Sequence, residues 1–176
     1  MTLIIDQFPC RSDNFGVLIH DTESGLTAAI DAPEFDPIKH RLAERGWKLD
    51  QILVTHHHLD HVEGILPLKQ AYGCTVIGPA GEADKIPGLD RTVKEGDVLS
   101  FGAYEIRVLD TPGHTLGHIS YYIPAAKAAF ADALEQAETK LLRSASVGEH
   151  HVRIAAALNS NKVLLRSALL LLRFII

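Results

Sequence analysis

Residues 51–61 read QILVTHHHLDH, an apolar run that ends in four of the chain's ten histidines and one aspartate. A run this short, followed at once by turn-forming and polar residues, is predicted to be a buried strand that surfaces at its C-terminal end. Such a strand needs a packed layer on each face and an open edge at its tip. His56 and His58 stand two residues apart, and in an extended segment i and i+2 project to the same side, so both imidazoles can bind one cation. Asp60 and His61 follow where the chain turns into the next helix, which aims them at a neighbouring position. Imidazole with carboxylate is a ligand set for zinc, iron or manganese, and two adjacent positions allow two-metal chemistry. His57 points away from the pair and is read as a spacer.

A second constellation answers the first. Residues 110–118 read DTPGHTLGH and follow another strand-like run, EIRVL. Pro112 and Gly113 make a tight turn, and the turn presents His114 at a strand end, as a third ligand for the His56–His58 position. His118 is assigned a supporting role through hydrogen bonds or packing. A two-metal site also calls for a bridging carboxylate, and Asp132, at the end of the run AAFAD, is the best candidate; a surface residue capping the next helix is the alternative. His150 and His151 are weak candidates for a further ligand. His20 and His40 are isolated and are read as structural or surface residues. Cys10 and Cys74 lack a CxxC spacing and are read as buried packing residues.

Around these motifs the chain alternates strand-like and helix-like runs. Strands are predicted at 3–5, 16–20, 27–30, 51–55, 74–78 and 118–123, with a shorter one at 128–131. Residues 97–101 and 104–109 alternate across Gly102 and predict a hairpin. Helices are predicted at 37–45, stopped by Gly46, and at 62–72, stopped by Gly73. The mixture predicts a layered α/β (α+β) fold. Residues 1–132 are expected to form a metal-binding domain and 133–176 a divergent, helical tail, beginning with a helix at 133–145. The tail ends in VLLRSALLLLRFII, which is shorter than the ~20 residues of a spanning helix and carries Arg166 and Arg173, so no membrane anchor is expected. A formal charge of −5 without a basic stripe argues against a nucleic-acid partner. The N-terminus does not read as a signal peptide, and two cysteines without a disulfide pattern fit the cytoplasm.

His56-x-His58-x-Asp60-His61, followed by Thr111-Pro112-Gly113-His114-Thr115-x-Gly117-His118, resembles the metallo-β-lactamase superfamily. SDNFGVLI at 12–19, ILVTHHHLDHVEG at 52–64 and TPGHTLGHISYY at 111–122 are similar to glyoxalase II, the hydroxyacylglutathione hydrolases. The resemblance covers about residues 1–132 and implies an αββα sandwich with a dimetal site at one edge of two sheets. It implies His56, His58 and His114 on one divalent metal, Asp60 and His61 on the other, and Asp132 between them, with zinc the first choice and iron or manganese the alternatives. It implies that a metal-bound hydroxide, oriented by Asp60, attacks the thioester of S-lactoylglutathione to give glutathione and a 2-hydroxy acid. The other readings are a persulfide dioxygenase or lactonase of the same superfamily, or an inactive fragment. The segment after Asp132 departs from the family pattern: Phe130-Ala131-Asp132-Ala133-Leu134 is one residue short, Gly148-Glu149-His150 comes early, and the glutathione-binding helical region has no counterpart. A truncated, rearranged or frame-shifted ending, and hence an incomplete sandwich, is therefore expected.

Overall fold

A computed structural model of the chain describes residues 2–12, 14–131 and 153–155. Two sheets make up most of it. The first contains β1 (Leu3–Cys10), β2 (Asn14–Asp21), β3 (Thr27–Ile30), β4 (Gln51–Leu53), β5 (Thr75–Pro79) and β6 (Arg91–Val93), in that spatial order. Strands β1 to β3 pair antiparallel, and β3 to β6 pair parallel. The second sheet runs β11-β10-β9-β8-β7, from β7 (Val98–Phe101), β8 (Tyr104–Asp110), β9 (Ile119–Ile123), β10 (Ala128–Phe130) and β11 (Arg153–Ala155). Helix α1 (Phe35–Arg45) connects β3 to β4. The short α2 (Leu59–Val62) and α3 (Ile65–Tyr72) connect β4 to β5.

Side-chain alternation sorts these elements into layers. Val17, Ile19, Ala28, Ile30, Leu53 and Ile77 of the first sheet meet Phe101, Ile106, Val108, Tyr121 and Phe130 of the second. The intervening residues Leu18, Ala29, Ile52 and Val76 face the other way, onto Ile38 and Leu42 of α1 and Ile65 and Leu68 of α3. The central strands are thus apolar on both faces, which is why QILV reads as a continuous hydrophobic run rather than an alternating one. On the outer face of the second sheet Leu109, Tyr122 and Ala129 form a small separate cluster.

Several expectations shift in detail. The strands expected at 3–5 and 16–20 are eight residues each, paired from Leu3↔Asp21 to Cys10↔Asn14. Asp6 makes this stretch read as a break, yet its carboxylate is buried because Arg45, from α1, lies 2.7 Å away. The single helix expected at 62–72 is two, broken at Glu63–Gly64. Gly64 N donates to Ala32 O at 2.8 Å, and a Cβ on Gly64 would sit 3.0 Å from that same oxygen. Strand β6 and the 3-10 turn Ala80–Lys85 were not anticipated, since residues 80–96 show no periodicity. The hairpin at β7–β8 forms as expected, with Gly102 in the left-handed region at φ 56°. Three residues of the tail expected to be helical, Arg153–Ala155, form a strand parallel to β10. The helix expected at 133–145 lies outside the described residues, as do Asp132, His150 and His151. Among the described residues no helix is long and apolar enough to cross a membrane.

Candidate metal centre

Three parallel strands run out at one edge of the first sheet, and each ends in a functional group. After β3 comes Asp31, after β4 comes Thr55-His56, and after β5 comes the 3-10 turn that carries Glu82. The loop 111–118, between β8 and β9, arrives at the same edge from the second sheet. The two sheets are tied there by Ile119 N, which donates to Thr55 O at 3.1 Å. Ligands placed on such strand ends have a rigid base and an open mouth.

His56, His58 and His114 converge as the spacing predicts. His56 Nε2 lies 3.1 Å from His58 Nδ1, which lies 2.9 Å from His114 Nε2. His56 is fully buried, His58 half-buried and His114 exposed, so the cluster opens to solvent on the His114 side. Hydrogen bonding serves the trio poorly: His58 Nδ1 offers either one proton or one lone pair, which two ring nitrogens must share. A shared cation satisfies all three. Four-coordinate zinc, with Zn–N of roughly 2.0–2.1 Å, separates its ligand nitrogens by about 3.3 Å, close to the observed spacing. Burial holds His56 in its neutral form, reinforced by His61, His118, His114 and His58 around it. Burial, followed by His114 and His57, also lowers His58. Neutral imidazole is the form that binds metal.

Asp60 and His61, expected at the neighbouring position, lie beside the trio, with His61 Nε2 3.6 Å from Asp60 Oδ2 and the His56 and His61 rings 4.2 Å apart. Both residues are held by groups from other elements. Asn14 Nδ2 donates to Asp60 O at 2.9 Å, and Ala32 N donates to His61 O at 2.8 Å. His61 Nδ1 lies 2.9 Å from Asp31 Oδ2. Asp31 also lies within ligand distance of His56 and His61, but its carboxylate already accepts from Thr55 N at 2.7 Å and Thr55 Oγ1 at 2.8 Å. Asp31 therefore acts as the carboxylate behind a histidine: it sets the Nδ1–H tautomer and turns Nε2 toward Asp60.

His118 is buried and does not join the trio. Its Nδ1 lies 2.8 Å from Thr111 Oγ1, while its Nε2 has no hydrogen-bond partner among the described residues. His57 turns to Glu82, with its N and Nδ1 at 2.8 and 2.7 Å from Oε2. Asp31 and Glu82 were missed in the sequence. The available signal was their position: each follows the C-terminal end of an apolar strand, TAAI or TVIGP, as His56 does.

A layered sandwich of two mixed sheets, with histidine and aspartate side chains gathered on the strand ends, defines a divalent-metal-binding domain. The chain belongs to the metallo-beta-lactamase superfamily, whose family model matches residues 16–171. It is 61% identical over 128 residues to the hydroxyacylglutathione hydrolases of Brucella ovis and Brucella abortus. That alignment covers 73% of this chain and 50% of the relative, so the chain spans about half the length of the curated relatives it matches. Among solved structures, ETHE1 from Myxococcus xanthus superposes with a TM-score of 0.74 at 26% identity, covering 91% of this chain and 77% of that one. The BLEG-1 B3 metallo-beta-lactamase superposes with a TM-score of 0.66 at 17% identity, over 73% and 71%.

Proposed function

We propose that this chain is a metal-dependent hydrolase of glutathione thioesters, with S-lactoylglutathione and related 2-hydroxyacylglutathiones as substrates. The convergence of His56, His58 and His114 beside the Asp60–His61 pair carries the reading, and the 61% identity to hydroxyacylglutathione hydrolases supports the substrate class. His56, His58 and His114 hold the first metal and Asp60 and His61 the second, with Asp132 as the bridging carboxylate. Zinc is the first choice for both positions. The setting is methylglyoxal detoxification in the cytoplasm.

When bound, the metals supply a water whose pKa falls toward about 7 and a Lewis acid for the thioester carbonyl. The rest is done by the chain's own groups. Asp60 accepts a hydrogen bond from the attacking water and orients it. Asp31 keeps His61 in one tautomer, so its Nε2 lone pair stays aimed at the site. Glutathione leaves as a thiolate, a good leaving group, so the site needs no strong general acid. The exposed side of His114 leaves room for an extended substrate.

The test is hydrolysis of S-lactoylglutathione by the zinc-loaded full chain, followed by loss of thioester absorbance. Turnover that vanishes in His58→Ala supports the reading. A chain that binds metal but leaves the thioester intact contradicts the substrate assignment and favours a metal-binding, non-catalytic role.

A further inference from the structure

Glu82 lies outside the ligand set, yet it is among the most deeply placed acids in the fold, 2% exposed on the 3-10 turn after β5. Burial pushes its carboxyl pKa up. Hydrogen bonds from the Thr115 hydroxyl and from the His57 ring and backbone outweigh that, so the group stays ionised. The four donors divide evenly between two loops. Oε2 accepts from His57 N at 2.8 Å and from His57 Nδ1 at 2.7 Å. Oε1 accepts from Gly117 N at 3.1 Å and from Thr115 Oγ1. His57 sits between His56 and His58, and Thr115 follows His114 directly. A Cβ on Gly117 would lie 2.5 Å from Glu82 Cγ, so the close approach of the second loop requires glycine there.

We propose that Glu82 is a positioning residue that clamps the two ligand loops together, with the Nδ1–H of His57 as its partner, and so sets the spacing of the three-histidine site. The inference rests on reading that site as a metal centre. The backbone bond from Ile119 to Thr55 joins the loops at their base, while Glu82 joins them beside the ligands themselves. A carboxylate suits this task because each oxygen has two lone pairs, and all four sites here face donors. A glutamine replaces it only in part. Its single acceptor oxygen serves one loop, and its amide nitrogen then faces a backbone N–H of the other, that of His57 or of Gly117. His57 thus has a task of its own, although it is skipped by the ligand spacing.

The test uses the full chain and zinc alone, with affinity measured by competition against a chromogenic chelator. Cobalt absorption reports ligand geometry, and thermal unfolding of the metal-free protein reports stability. Glu82→Gln weakens first-site affinity roughly 10–100-fold, the usual cost of losing an outer-shell partner, and changes the cobalt spectrum. Thr115→Val weakens it in the same direction, and Thr115→Ser, which keeps the hydroxyl, recovers most of the loss. Leu42→Ala, which empties volume under α1 far from the clamp, serves as the stability control. Wild-type affinity in both Glu82→Gln and Thr115→Val overturns the clamp. So does an equal loss of affinity in Leu42→Ala, which would trace the effect to stability. If Glu82→Gln does not fold, the Thr115 pair decides the matter by the same criteria. Failure of the unaltered chain to bind zinc overturns the metal-centre reading itself, and the clamp falls with it; this outcome is seen before any variant is made.

Discussion

Asp31 shows how much a single side chain carries at this edge. It sits in the left-handed region at φ 58° and receives three hydrogen bonds from Thr55 and His61. Asn tolerates that backbone, but Asp31→Asn turns an amide N–H toward a donor and loosens the His61 tautomer. The variant is expected to lose about 1–3 kcal/mol of metal-free stability by urea unfolding, as for a buried donor left unpaired. It should also release its second metal before its first in a chelator titration. The buried histidines predict an acid response. Burial, opposed by Asp31 and aided by His114, lowers His118 from 6.5 to about 4. Between those values the unfolded chain binds a proton that the folded chain does not. The contribution is therefore intact above pH 6.5 and is lost as pH falls toward 4. The metal-free protein should show a lower urea midpoint at pH 5 than at pH 7, and His118→Asn should reduce the difference, leaving the share that buried His56 and His58 contribute. Equal midpoints would contradict the burial of a neutral ring.

The ligand pair His56–His58 was legible at the scale of one strand, because i, i+2 spacing at a strand end fixes direction locally. Asp31 and Glu82 were not, because their partners lie 24 and 25 residues away or more. Elements show the same contrast. Helix α1, the β7–β8 hairpin and the central strands follow from local periodicity and from glycine stops. The full length of β1 was hidden, since Asp6 is buried against Arg45 and Arg41 on another element. The break between α2 and α3 was hidden for a related reason: the periodicity of 62–72 is helical throughout, but Gly64 is drawn against the backbone of Ala32 to Phe35. Gly64→Ala should cost about 1–3 kcal/mol, the usual range for overpacking, measured by thermal or urea unfolding. A neutral effect would mean that the helix can be continuous.

At the scale of the whole molecule, the site exists because two sheets meet at one edge. Tyr121 of β9 makes this concrete: its buried hydroxyl donates to Val54 O at 2.9 Å, linking the second sheet to the segment that leads into His56. Tyr121→Phe strands that carbonyl and should destabilise by about 1–3 kcal/mol in urea unfolding. The layered class and the pairing of the two motifs could be read from the sequence, since both rest on strand ends. Asp132, the carboxylate proposed as the bridge, lies outside the described residues.

The most direct measurement is the zinc content of the full chain after loading and removal of excess metal, determined by elemental mass spectrometry beside His58→Ala. The account predicts about two zinc ions per chain, with the first-site ion lost in the variant. Loaded chain that retains no zinc, or a His58→Ala variant that retains as much as the unaltered protein, would contradict it.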